Sequence, residues 1–93
     1  MHDAELKRMR ESIRTRQYVM TLHAEDEMDA DGLTIYDVEH VILTGHVTER
    51  QKDHASGEWK HLVSGEALAG ASVTVVTRFG PTGKLVIITV FRE

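Results

Sequence analysis

The sequence predicts an α+β fold, with about three N-terminal helices packed on one face of a mainly antiparallel sheet of four or five strands. Three observations predict it. Apolar residues recur at helical spacing through much of the first half of the chain and at alternate positions after residue 46. Thr34, Asp37 and Gly45 punctuate a helix between them. The tight-turn sequence GPTG, residues 80–83, separates two β-branched apolar runs and marks a hairpin.

The elements follow in chain order. Residues 4–16 place Leu6, Met9 and Ile13 on one helical face and Lys, Arg and Glu on the other, so a short amphipathic helix is expected. Residues 18–22, YVMTL, are β-branched and aromatic and read as a strand. A strongly acidic helix is expected from His23 to about Ala30, and Gly32 suits the left-handed position that ends it. Thr34 with Asp37 three residues on resembles a capping box, and Ile35, Val38, Val41 and Ile42 form the buried stripe of helix 35–44. Gly45 is expected to close this helix as Gly32 closes the one before it. Candidate strands are 46–52, 59–64, 72–79 and 84–91. The first is polar and suits a sheet edge. The last, KLVIITVF, is apolar on both faces and is expected to be central and covered on both sides.

Length and composition bound the possibilities. Residues 1–93 make one domain. Without cysteine, disulfides and thiolate metal sites are excluded, which fits a reducing cytoplasm. The longest apolar run, Leu85 to Ile88, is too short to span a bilayer, and the N-terminus lacks the apolar core of a signal peptide. A cytoplasmic, soluble protein without a membrane partner is expected. The net charge of −4 is uneven: +2 over residues 1–22, −5 over 23–32, −2 over 33–50 and +1 over 51–93. There is no overall basic footprint for DNA. An RNA surface would be local, built from the first helix or from Lys60, Arg78, Lys84 and Arg92.

The stretches HAEDEM, DGLTIYDVEHVILTGHVTER, WKHLVSG and KLVIITVF resemble a family of small bacterial proteins, a domain of unknown function within the RelE/ParE-like toxin superfamily. The matching positions are His23-Ala24, Met28, Gly32-Leu33, Thr34 to Gly45, and Ile88-Thr89-Val90-Phe91. The resemblance implies a RelE-like fold, a toxin–antitoxin setting with a cognate zinc-finger (YgiT/MqsA-type) antitoxin as partner, and cleavage of mRNA. It implies no cofactor. Two helix arginines of the family pattern fall at Glu27 and Asp31 here, so both charges are reversed.

Metal-free RNA cleavage needs a base for the 2′-hydroxyl, an acid for the 5′-oxygen, and a cation or donor for the phosphate. The candidate catalytic residues are His23, His61, Arg78 and Thr89; Lys60, Trp59 and Arg92 are candidates for holding RNA. Trp59 would stack on a base or, equally, anchor the rim of the core. His23 would serve as acid or base, or simply help its helix to start, with the following carboxylates favouring the helix dipole. Pairs such as His23 with Glu27 and Glu39 with His46 lack the spacing of a zinc site, and no metal is expected. Three readings stand: a RelE-like endoribonuclease toxin; a non-catalytic, toxin-like protein-binding module or homodimer; and, last, a metal-dependent protein.

Overall fold

The computed structural model describes residues 3–93. Three helices, α1 (Asp3–Arg14), α2 (Leu22–Ala30) and α3 (Ile35–Thr44), accompany five strands: β1 (Tyr18–Met20), β2 (His46–Lys52), β3 (Trp59–Glu66), β4 (Ser72–Phe79) and β5 (Leu85–Arg92). The strands form one sheet in the order β1-β5-β4-β3-β2. The expected α+β class and mainly N-terminal helices hold, but the sheet is mixed. Strands β2 to β5 pair antiparallel with one another, whereas β1 lies parallel to β5, with Tyr18 beside Leu85 and Met20 beside Ile87.

The core lies between α1 and α3 and one face of the sheet. Leu6, Met9 and Ile13 of α1 are buried against it, as are Val38, Val41 and Ile42 of α3. From the sheet come Val63, Val73, Val75, Leu85, Ile87 and Val90, all fully buried. Burying side chains of this size stabilises the fold by roughly 1.5–3 kcal/mol each. Arg10 joins the two helices: its guanidinium donates to the Ile42 carbonyl at 3.0 Å and the Gly45 carbonyl at 2.7 Å. A cation so placed satisfies the open end of α3 and complements its dipole.

The helix boundaries have local causes. The Thr34 amide donates to Asp37 Oδ2 at 2.8 Å, and the Asp37 amide donates back to Thr34 Oγ1, which completes the expected capping box. Gly32 takes the left-handed conformation, φ 69°, after α2. Helix α2 begins one residue earlier than expected, because Thr21 leaves the strand to cap it: Thr21 Oγ1 accepts from the Ala24 amide at 3.1 Å. The same hydroxyl donates to the Ile88 carbonyl at 2.9 Å.

Gly45 closes α3 as expected, its amide donating to the Val41 carbonyl, but without the left-handed conformation of Gly32. Its φ is −84°, open to any residue. Close approach is what requires a glycine there. A Cβ on Gly45 would stand 2.4 Å from the Ser64 carbonyl oxygen and 2.5 Å from that of Val41. Thus the end of α3 crosses β3 backbone to backbone.

Strand β5 is interior, between β1 and β4, but only one of its faces is covered. The ladder with β4 passes from Val76↔Thr89 to Thr77↔Ile87, leaving Ile88 as an extra residue. This bulge shifts the inward set from Leu85 and Ile87 to Val90. The two-sided apolar pattern of KLVIITVF therefore reflects a phase change as well as burial. Val86 and Ile88 remain half-exposed.

Tyr18 ties β1 to α3, its hydroxyl donating to Glu39 Oε2 at 2.5 Å. Burial, with the Glu39 carboxylate accepting that proton, pushes the phenol up to about 12 from its ordinary 10.0. A pKa raised on folding contributes stability that is whole below pH 10 and fades as pH rises towards 12. Tyr18→Phe is therefore expected to flatten the fall of the urea midpoint between these pH values relative to the wild type. Parallel curves for the two proteins would contradict the linkage.

Candidate functional site

Strand β3 grades from core to rim. Val63, His61 and Trp59 alternate onto the helix-covered face, with exposures of 0%, 5% and 43%. His61 lies opposite Arg50 of β2 on one side and Thr77 of β4 on the other. The first turns of α1 approach this end of the sheet because Leu6 and Met9 are drawn into the core beside it. Glu5 and Arg8 are thereby brought over His61. Together with Arg50, Trp59 and Phe79 they line a cleft of about 400 Å³.

Two guanidinium groups sit over its aromatic walls. Arg8 Cζ is 3.8 Å from the centre of the Phe79 ring, and Arg50 Cζ is 4.2 Å from that of Trp59. Lys52 Nζ stands 5.9 Å from the same indole. Stacking holds a guanidinium by its face and leaves its N–H edge for a phosphate or carboxylate. The cleft thus combines a carboxylate, two planar cations and an aromatic ledge, with the His61 ring beneath them and both of its nitrogens buried. This is the donor set for a phosphodiester flanked by an unstacked base.

The other sequence candidates lie elsewhere. Lys60 and Arg78 alternate with His61 and Thr77 onto the uncovered face, where Arg78 Nη1 meets Glu58 Oε2 at 3.1 Å. Thr89 sits beside Val76. His23 projects from α2, its side chain 68% exposed and its Nε2 3.2 Å from Glu27 Oε1. Hence the structure unites His61 with Trp59, and leaves His23, Arg78, Thr89, Lys60 and Arg92 outside that cleft. Glu5, Arg8, Arg50 and Phe79 were not singled out as site residues from the sequence. The alternation of residues 59, 61 and 63 was the available signal for His61 and Trp59; the register that adds Arg50 is tertiary. Among the described residues no three His, Asp or Glu side chains converge to hold a metal ion.

Glu27 and Asp31 have a structural role. Strand β1 ends opposite Ile87, and beyond it the edge of β5 is met by α2. The Val90 amide donates to Glu27 Oε1 at 3.1 Å, and the Arg92 amide donates to Asp31 Oδ2 at 3.2 Å. Four residues of helix advance about 6 Å and two residues of strand about 6.6 Å, so the spacings match. Glu27→Arg is expected to cost about 1.5–3 kcal/mol, the value of a hydrogen bond to a charged group. Chemical denaturation would measure it, and an unchanged midpoint would contradict the role.

The model of one protein family, Domain of unknown function (DUF4258), matches residues 20–92. No curated protein and no solved structure matches the chain. The matched span contains Arg50, Trp59, His61 and Phe79, whereas Glu5 and Arg8 lie before it.

Proposed function

Because the chain belongs to the DUF4258 family, a domain of unknown function, its chemistry has to be argued from the site, and we propose a toxin-like, metal-independent endoribonuclease acting on mRNA through the His61 cleft. The observation that carries this reading is the meeting of His61, Glu5, Arg8, Arg50 and Trp59 in one cleft. Glu5 takes the 2′-hydroxyl proton as O2′ attacks phosphorus. The bond from phosphorus to O5′ then breaks, and the 5′-oxygen leaves with a proton from the His61 imidazolium. The products are a 2′,3′-cyclic phosphate and a 5′-hydroxyl. Arg8 and Arg50 bear the extra negative charge on the pentacoordinate phosphorus. Trp59 stacks on the neighbouring base.

The resemblance to RelE/ParE-like toxins supplies the mRNA substrate and a cognate zinc-finger antitoxin as partner. The test is incubation of the pure protein with single-stranded RNA in EDTA. The expected result is cleavage to cyclic-phosphate ends; intact RNA, or cleavage that EDTA abolishes, would overturn the reading. One observation favours a second reading, a toxin-like binding module. The acidic residues at two arginine positions of the family pattern are engaged in holding β5 rather than phosphate. Intact RNA together with a stable complex with a second protein, or a second copy of the chain, would support that protein-binding module.

A further inference from the structure

We propose that the free edge of β1 receives an extended, basic segment of a partner protein, which adds a sixth strand to the sheet. The two sheet edges differ. Strand β2 is an edge protected by a bulge at Thr48 and by the charges of Glu49, Arg50 and Lys52. Strand β1, Tyr18-Val19-Met20, has neither bulge nor charge. Its hydrogen bonds fix which backbone groups remain on the outside. The Gln17 carbonyl accepts from the Leu85 amide at 3.1 Å, and the Thr21 amide donates to the Ile87 carbonyl at 3.0 Å. In a parallel ladder Val19, midway between them, also faces β5. The N–H and C=O of Tyr18 and Met20 therefore point away from the sheet, the arrangement that strand addition uses.

Beside this edge runs a groove of about 370 Å³. Met20, Met28 and Ile35 supply its apolar floor, and Glu25 and Asp29 of α2 its wall. Val19 is 45% exposed at its lip. No lysine or arginine occurs between Arg16 and Arg50, so α2 and α3 carry none, and the basic Arg16 and Lys84 stand only at the Tyr18 end of the edge. An occupant that pairs with β1 must place side chains against those carboxylates, and lysine or arginine alternating with apolar residues fits. Nucleic acid does not, since its phosphates would meet Glu25 and Asp29. The groove is at the opposite edge of the sheet from the His61 cleft, so this inference stands apart from the ribonuclease reading.

The probe is a fluorescein-labelled octapeptide alternating lysine and valine, compared by anisotropy with its glutamate–valine counterpart. Two further versions are N-methylated on one or the other alternate set of amides. The lysine peptide is expected to bind roughly tenfold or more tightly than the glutamate peptide, with affinity falling as salt rises. One N-methylated set is expected to lose roughly tenfold and the other to bind normally, because only one edge of the peptide meets β1. Met20→Pro removes an outward N–H without touching the ladder to β5, and is expected to weaken binding similarly. Should that variant unfold, the N-methylated peptides carry the same test on the unaltered protein. Glu25→Lys with Asp29→Lys is expected to reverse the peptide preference. No binding up to about 1 mM, equal affinity for both peptides, or indifference to both N-methylations would overturn the proposal. A light-scattering mass of two chains that falls to one in Met20→Pro would overturn it in favour of a second copy at this edge.

Discussion

His61→Ala is expected to lower RNA cleavage about 10²–10⁴-fold, the usual contribution of a positioned acid or base. His23→Ala is expected to leave the rate near that of the wild type, because His23 projects from α2 outside the cleft. Since His61 is only 5% exposed, alanine there also opens space in the core rim. His61→Gln fills that space without titrating near neutral pH, and it should lose activity to a similar degree while unfolding close to the wild-type midpoint. Arg50→Ala removes a cation from the phosphate and is expected to cost less than His61→Ala, with most of the loss recovered at low salt. If His61→Gln, correctly folded, cut RNA at the wild-type rate, the acid would have to be sought elsewhere. Loss of cleavage in His23→Ala alone would return the chemistry to α2.

The largest effect on stability is expected from Gly45→Ala. A methyl group there would stand 2.4 Å and 2.5 Å from two backbone carbonyl oxygens, neither of which belongs to a movable side chain. Relief requires α3 to lift from β3, and with it Val41 and Ile42 from the core. A cost of about 3 kcal/mol or more is expected, from overpacking that cannot relax locally. For a domain of this size each kcal/mol lowers the melting temperature by roughly 4–8 °C. Gly32→Ala meets no atom within 4 Å but must hold φ near 69°, so about 1 kcal/mol is expected there. Calorimetry on the two variants separates contact from conformation: Gly45→Ala should melt well below Gly32→Ala.

Much of the fold was legible because its causes are local. The stripe of Leu6, Met9 and Ile13, the Thr34–Asp37 box and the turn at 80–83 each lie within a few residues of sequence. The parallel pairing of β1 with β5 was not legible, since nothing near Tyr18 specifies Leu85. The bulge at Ile88 was hidden because a run of apolar residues conceals a change of phase. The reason for a glycine at 45 was not legible, because the close approach is to Ser64, on a strand remote in sequence. The cleft was half legible. His61 and Trp59 share a face by simple alternation, but Glu5, Arg8 and Arg50 arrive from α1 and β2, and only the packed structure brings them there. Nothing near Glu27 and Asp31 in sequence points to their partners, two strand amides at the far end of the chain.

The edge of β5 passes from a strand to a helix partway along, and the two halves should exchange hydrogen differently. Amides covered by β1 open only when a pairing between residues far apart in sequence is broken. The amides of Val90 and Arg92 are held by single side-chain carboxylates, one on a nine-residue helix with only Ala24 fully inside and the other on its C-cap. Such a helix detaches in a small, local opening that leaves the rest of the sheet in place. These two amides should therefore exchange early and together, before those of the neighbouring ladder. They act as built-in reporters of whether α2 is seated.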